Sequence, residues 1–239
     1  MPGDDDVVDD NSSKHHRDMS VYQRKWLRVR SLWALIYDNY YQDYDWFFFG
    51  GDFVFVLVEN LRNYLESDEI QAAANYGGRR VPLPSASSDN QQYPLFLGRR
   101  FDLGGGNHQK HDVYNAGASG YVINKAALKL FVVDGGNVPD ALALPQKHTS
   151  GVDLMIARLF RRFGVYPYDT KDDAGGERFM VTTPGHHYDS KFPPWYHKQS
   201  IDILHGLDHC AAHSISFTYV PVPVMYRLYA LLYGLCPPT

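Results

Sequence analysis

The sequence predicts an α/β fold in which a mixed sheet is flanked by helices. Short aromatic and apolar runs typical of buried strands alternate with longer segments whose apolar residues recur at helical spacing. The 239 residues suit one large domain, and a hydrophobic share of 44% is ample for its core. We expect a disordered acidic tail at residues 1–19, one domain over residues 20–235 and a short tail at 236–239.

The composition argues against several classes of protein. A net charge of −4 gives no sign of the basic surface that binds nucleic acid. Two cysteines, Cys210 and Cys236, allow one disulfide but exclude a disulfide-dense scaffold. No uninterrupted apolar run reaches about 18 residues, so we predict no transmembrane helix. The acidic N-terminus does not resemble a secretory signal.

Three elements are predicted in the first quarter of the chain. Residues Ser20–Tyr41 carry apolar and aromatic side chains at helical spacing without proline or glycine, which predicts a helix packed on the sheet. The run Trp46–Phe49 is typical of a strand that is buried on both faces. A further apolar run predicts a second helix over Val54–Leu65.

The turn between that strand and that helix holds a single acid. Gly50 and Gly51 permit a sharp reversal of the backbone and the close approach of a ligand. Asp52 stands at the end of the strand, and ligands of open α/β sheets bind at the carboxyl ends of strands. Its carboxylate suits a divalent cation. It equally suits the N-cap of the predicted helix, and the two roles can coexist.

The next part of the chain has fewer regular patterns. Residues 66–92 lose their periodicity and are predicted to be mostly loop, followed by a strand over Tyr93–Gly98. Arg99 and Arg100 come next, and they either face a diphosphate or form an exposed pair. Near the C-terminus, Val224–Leu235 predicts an amphipathic helix that closes the domain.

Two later segments place small or polar residues ahead of helices. The small-residue turn Asn115–Gly120 leads through a short strand into a helix that starts near Asn124. Another helix runs to about Phe163, and Asp153 lies in its first turn. Ser150 and Asp153 together resemble a capping box, so the sequence leaves both a structural and a chemical role open for this carboxylate.

The last third of the chain is rich in histidine and aromatic residues. His186 and His187 follow a glycine turn, where a neutral imidazole can ligate a metal of the manganese class beside a carboxylate. Trp195 and Tyr196 lie on a loop, where either a sugar ring or ordinary packing would use their faces. Three more histidines, four residues apart, would suit zinc on a helix, but Gly206 and a following strand argue against one.

In their order, these segments resemble the fringe-like glycosyltransferases of family 31, above all the core 1 β1,3-galactosyltransferase (T-synthase) group. The resemblance covers about residues 20–233 and implies a GT-A-like, Rossmann-related fold. It is carried by the aromatic strand with its acid-bearing turn, the segment Glu59–Arg62, the small-residue turn at 115–120, the helix that starts at Asp153, and the stretch from 169 to 179.

The resemblance implies an inverting transfer of a sugar, galactose above all, from a UDP-sugar to a glycan or glycoprotein acceptor such as GalNAc on Ser or Thr. It implies that Asp153 is the catalytic base, and that Asp52 and His187 hold Mn²⁺ or another divalent cation. The family works in the Golgi lumen as type II membrane proteins, although this chain carries no signal or anchor, and a homodimer is allowed. The substrate-binding candidates are Gly51, Gly117, Ala118, Gly120, Tyr121, Trp195 and Tyr196.

Two departures from the family pattern define the alternatives. Phe53 stands where the family has the last acid of its turn, so metal affinity should be reduced. Residues 1–19 do not resemble the family's uridine-binding strand and helix, its stalk or its anchor, which suggests a fragment or an incomplete nucleotide site. The alternative function is therefore a catalytically silent relative that binds glycans or partners. A metal-dependent hydrolase built on the two neighbouring histidines and Asp189 is disfavoured, because no further ligand cluster completes it.

Overall fold

The architecture comes from a computed structural model, which describes residues 10–76, 92–104, 113–137, 151–189 and 191–234. Within these ranges the predicted α/β class is confirmed. The predicted mixed sheet is not found there, because the strands form three small sheets whose pairs are antiparallel. The α-helices are α1 Asp10–Tyr40, α2 Val58–Leu65, α3 Asp68–Tyr76, α4 Lys125–Lys129, α5 Val152–Arg162, α6 Pro184–Asp189, α7 Pro194–Gln199 and α8 Val222–Tyr229. The strands are β1 Trp46–Phe49, β2 Phe55–Val56, β3 Phe96–Gly98, β4 Arg100–Asp102, β5 Val113–Asn115, β6 Tyr121–Asn124 and β7 Ser216–Phe217.

The central sheet has the strand order β1-β6-β3, with β6 in the middle. All four residues of β6 are buried. Phe49 pairs with Tyr121, and Gly98 pairs with Tyr121 from the other side. Because the pairing is antiparallel, β1 ends at the same end of the sheet at which β6 begins. The turn after β1 therefore lies beside the turn that precedes β6.

Both faces of this sheet are covered. Trp33 of α1 packs with Tyr121 and Ile123 on one face, together with residues of α5. On the other face, Val122 packs with Leu61 of α2 and with residues of α3. Alternate residues of β6 thus point to opposite cores, as the two-residue period of a strand requires. The expected packing of the first helix against the sheet is confirmed.

One side chain joins three segments near the end of β6. Asn124 is fully buried, and its Oδ1 accepts hydrogen bonds from the N–H of Ala127 at 3.0 Å and of Leu95 at 2.9 Å. Its Nδ2 donates to the carbonyl of Tyr93 at 2.7 Å. Asn124 is therefore the N-cap of α4, as its position in the sequence predicted, and it also fixes the chain that enters β3.

The segment after the double glycine differs from its prediction. Residues Phe55 and Val56 form strand β2, which pairs with β7, and the following helix begins only at Val58. Leu57 occupies the N-cap position of α2. The prediction that a helix covers residues 54–57 is therefore wrong, and so is the alternative that Asp52 caps it.

Three other predictions of secondary structure are corrected. The stretch predicted to be loop contains helix α3, while residues 77–91 lie outside the described part of the chain. Helix α8 and the π-helical turn Ala230–Gly234 after it contain no buried residue, so this segment does not close the domain. Helix α1 begins at Asp10, before the predicted start at Ser20. Within the described ranges, every helix is too short or too polar to be a membrane-spanning segment.

Candidate functional site

The turn after β1 and the turn before β6 meet around one aromatic ring. A side chain at Gly50 would come within 2.6 Å of the Phe48 ring, and one at Gly120 would overlap that same ring. Gly120 also has a φ of +76°, which favours glycine. The glycines that the sequence assigned to the approach of a ligand thus make room for Phe48 at these two positions.

Asp153 lies beside the second of these turns. The carboxylate Oδ2 accepts a hydrogen bond from the backbone N–H of Gly117 at 2.8 Å. Burial raises the pKa of Asp153, and the Gly117 hydrogen bond partly opposes that rise. A β-carbon at position 117 would lie only 2.5 Å from the Asp153 carboxylate, so any larger residue there would have to displace it. Position 150 lies outside the described residues, and helix α5 has Gly151 as its N-cap without a side-chain hydrogen bond.

The same small-residue turn also contacts β7. Ser119 is fully buried, and its carbonyl accepts a hydrogen bond from the Ser216 hydroxyl at 2.6 Å. Phe217, the next residue of β7, pairs with Phe55 of β2 and lies with its ring centroid 6.2 Å from that of His187. Through these contacts the structure links the segments that carry Asp153, Asp52 and His187.

His187 is a buried, neutral side chain. Its Nε2 lies 2.8 Å from the Thr182 hydroxyl, and its ring stacks on that of His209 with centroids 4.9 Å apart. Burial lowers the pKa of His187 to about 4 and that of His209 to about 3. Burial therefore favours the uncharged form of both rings near neutral pH, and repulsion between two stacked imidazolium rings adds to this effect. His186, in contrast, is exposed.

One of these histidines, His209, also belongs to a buried polar network. The Tyr196 hydroxyl hydrogen-bonds to Nε2 of His209 at 2.9 Å, while Nδ1 of His209 donates to the carbonyl of Leu204 at 3.1 Å. Arg99 is 1% exposed and forms an ion pair with Glu177, which is 3% exposed. The expectation that Arg99 faces a diphosphate or forms an exposed pair is wrong, because a buried acid neutralises its guanidinium.

Phe53 forms a second aromatic feature of the acid-bearing turn. Its ring stacks on that of Tyr219, with centroids 5.3 Å apart and planes inclined by 7°. It also folds back over Gly51, where a β-carbon would lie 2.8 Å from Phe53. Asp52 itself is exposed. Among the described residues, no group of three or more histidine, cysteine, aspartate or glutamate side chains is placed to hold a metal ion.

Comparison with known proteins shows that the chain is similar to a curated galactosyltransferase. The chain is 27% identical over 216 residues to glycoprotein-N-acetylgalactosamine 3-beta-galactosyltransferase 1 of Xenopus laevis. The match includes 88% of this chain and 51% of that protein, so the chain spans about half the length of its curated relative. No protein-family model matches the chain.

This chain is a relative of that galactosyltransferase. The comparison confirms the resemblance to the core 1 galactosyltransferase group that the ordered segments indicated. The individual site residues inferred from that resemblance remain predictions, and their surroundings in the structure differ from one to the next.

Some of the substrate-binding candidates of this galactosyltransferase-like chain are accessible to solvent, and others are buried. Gly117 and Ala118 are partly buried, and Trp195 is 48% exposed. Tyr121 is 1% exposed and its hydroxyl accepts a hydrogen bond from Trp33. Tyr196 is fully buried. Of these three aromatic candidates, Trp195 is the one whose ring is accessible to solvent.

Two features of this region were not predicted. Tyr219 lies in the segment after Gly206 that was predicted to be a strand, yet it adopts a φ of +53° and leaves its ring exposed. Cys210 is a free, partly buried thiol, and Cys236 lies outside the described residues. The three histidines spaced four residues apart do not lie on one α-helix, in agreement with the argument from Gly206, because Gly206–His209 forms a short 3-10 helix.

Proposed function

We propose that this chain is the catalytic part of an inverting, GT-A-like glycosyltransferase that moves galactose from UDP-galactose to GalNAc on a glycoprotein, in the Golgi lumen. The observation that carries the proposal is the placement of Asp153, whose partly buried carboxylate is oriented by the Gly117 N–H. The relationship to a galactosyltransferase supports the class of donor and acceptor.

Asp153 would act as the general base. Its carboxylate would take the proton of the acceptor hydroxyl as that oxygen forms a bond to the anomeric carbon, while the bond from that carbon to the diphosphate oxygen breaks. UDP leaves with the bonding electrons, and attack from the opposite face inverts the configuration. Burial raises the pKa of Asp153 and so makes it a stronger base than an exposed aspartate. The Gly117 hydrogen bond keeps Oδ2 in one orientation.

A divalent cation such as Mn²⁺, when bound, would neutralise charge on the diphosphate leaving group. Asp52 fits this role because its carboxylate is exposed at the turn. His187 has the neutral state that a ligand needs, but its ring is enclosed and engaged with Thr182. His187 would have to leave that hydrogen bond to reach an ion, so we propose that diphosphate oxygens and water supply most other ligands.

The test measures donor binding and transfer separately. Calorimetry with UDP-galactose, with and without Mn²⁺, should give binding that depends on the metal and is lost in Asp52→Ala. Asp43→Ala is the matched control, because Asp43 is also an exposed aspartate and lies in the turn that follows helix α1. Transfer is followed with a GalNAc-bearing peptide as acceptor. A protein that binds no UDP-galactose at any Mn²⁺ concentration is a silent relative, and the proposal fails.

A further inference from the structure

The segment of residues 222–234, which consists of helix α8 and the π-helical turn after it, is apolar but not buried. None of its residues is buried in the domain. Its exposed apolar side chains include Tyr226, which is 73% exposed, and Tyr229, which is 61% exposed. A helix that is apolar almost all round is normally enclosed by its own protein or by lipid. This segment therefore suits an apolar partner outside the domain.

A hydrogen bond attaches the end of the segment to helix α2. The Tyr233 hydroxyl donates to the Glu59 carboxylate at 2.5 Å, and the rings of Tyr233 and Tyr229 lie 5.1 Å apart. Glu59 is itself exposed. The bond therefore holds the segment along the outside of the domain, while Tyr226 and Tyr229 stay in solvent.

The charge of the segment indicates what covers it. Residues 209–235 contain no aspartate or glutamate, and Arg227 is the single charged side chain of the segment. Arg227 is exposed. An apolar surface that carries a cation and no acid is complementary to lipid headgroups, whose phosphates are negative. Tyrosine suits the same boundary, because its ring is apolar and its hydroxyl reaches water.

The arrangement of the exposed side chains favours lipid over a folded protein. Val222, Tyr226 and Tyr229 recur at helical spacing, and Leu231 and Leu232 extend the apolar surface through the π-helical turn. A protein partner would need a groove of matching shape and hydrogen-bond partners for the phenol hydroxyls. Lipid chains adapt to the side chains, and water among the headgroups satisfies the hydroxyls.

The length of the segment sets its orientation. Helix α8 has eight residues and the π-helical turn has five, so at about 1.5 Å per residue the segment is roughly 20 Å long. The hydrocarbon core of a bilayer is about 30 Å thick. The segment is therefore suited to lie along a bilayer surface.

We propose that residues 222–234 bind the surface of a lipid bilayer, with the rings of Tyr226 and Tyr229 inserted among the headgroups. The chain has a net charge of −4, which disfavours long-range attraction to anionic lipid. Burial of apolar surface therefore supplies most of the binding, and Arg227 adds a smaller electrostatic contribution. The inference does not depend on the proposed transfer activity.

The experiment measures flotation of the full chain with two kinds of vesicle: phosphatidylcholine alone, and phosphatidylcholine with roughly a third phosphatidylserine. The double variant Tyr226→Ser with Tyr229→Ser should bind both vesicles roughly tenfold more weakly. Arg227→Gln should bind about fivefold more weakly, and only to the anionic vesicles. The matched control is Tyr40→Ser with Tyr44→Ser, which removes two exposed tyrosine rings 6.2 Å apart outside the segment and should change neither value.

Two further measurements separate membrane binding from folding and self-association. Urea unfolding should give the same stability for the Tyr226/Tyr229 double variant and the unaltered protein, because both side chains are exposed. Hydrogen exchange should slow at the amides of residues 222–234 when vesicles are added, and stay unchanged in α3.

Three results overturn the inference: the unaltered chain floats with neither vesicle, the Tyr226/Tyr229 double variant floats as well as the unaltered chain, or the tyrosine control weakens flotation equally. A dimer that forms without vesicles and is lost in the double variant, in a chain that does not float, would assign the surface to a second copy. Failure of the proposed function has a different signature. Flotation that depends on the two tyrosines, without sugar transfer, keeps the membrane contact and removes the enzyme.

Discussion

The Asp153 carboxylate is held by the backbone N–H of Gly117, from a turn that lies far from it in the sequence. This hydrogen bond fixes the orientation of the side chain to which we assign proton abstraction. A side chain at position 117 would have to displace that carboxylate, because its β-carbon would lie 2.5 Å from it.

Gly117→Ala should therefore displace the Asp153 carboxylate without unfolding the protein. A shift of about 1 Å at a reacting group can lower the turnover rate about 100-fold. We expect a loss of that order in kcat for transfer to a GalNAc-bearing peptide, with little change in donor binding. Gly185→Ala is the matched control, since a β-carbon there meets no atom within 4 Å. Equal activity of the two variants would show that the contact does not matter for chemistry.

The pH dependence of transfer should report the ionisation of Asp153. A base works only when deprotonated, and burial raises the pKa of this carboxyl. The value of kcat/KM should therefore fall as the pH drops through a pKa above the ordinary value for aspartate. Asp153→Asn should lower kcat by about 10²–10⁴-fold and leave no such inflection. A variant that retains the inflection would assign it to another group.

The buried histidine pair should make the protein sensitive to acid. In the folded state His187 and His209 have pKa values of about 4 and about 3, whereas in the unfolded chain both should titrate near the ordinary value for histidine. Between these limits the unfolded chain binds more protons, so the free energy of unfolding decreases as the pH falls. Each histidine contributes up to about 1.4 kcal/mol per pH unit in that window.

Urea unfolding at a series of pH values measures this effect. The free energy of unfolding should fall steeply from about pH 6.5 toward pH 4. His209→Phe should flatten the curve, because one of the two depressed sites is removed. Leu207→Ala is the control and should leave the pH dependence unchanged, since Leu207 is exposed and does not titrate. An unaltered protein with no acid sensitivity above pH 4 would contradict the buried neutral pair.

The buried ion pair predicts an asymmetric response to substitution. Glu177 faces Arg99 directly, and Nζ of Lys171 lies 3.7 Å from the Glu177 carboxylate. Glu177→Gln leaves two cations without this acid and should cost about 3–5 kcal/mol of stability. Arg99→Met leaves Lys171 near the acid and should cost less. Chemical denaturation measures both, and the double variant Arg99→Met with Glu177→Leu should be less harmful than Glu177→Gln. The reverse order would show that Lys171 does not interact with Glu177.

Much of the fold was predictable from local patterns. The aromatic run of β1, the Asn124 cap of α4 and the apolar face of α5 each depend on residues close together in sequence. Long-range contacts account for the failures. Strand β2 exists because Phe55 pairs with Phe217 near the other end of the chain, and this pairing prevails over the local helical pattern.

The candidate site was predicted partly from residue patterns and partly from the resemblance. The turn after the aromatic strand indicated Asp52 as a cation ligand, and the resemblance indicated Asp153 as the base; both roles remain predictions. The burial of Arg99 depends on Glu177, and the exposed ring of Tyr219 depends on a backbone angle that no residue pattern indicated. Sequence spacing gives no information about which partner neutralises a charge or which ring is turned outward.

The three hydrogen bonds of Asn124 have a consequence for dynamics. One buried amide joins the end of β6, the first turn of α4 and the segment that enters β3. If one of these segments opened while the others stayed closed, a buried amide group would be left unpaired. Backbone amide protons in all three should therefore exchange with deuterium at a common rate, as a cooperative unit, rather than fray in sequence.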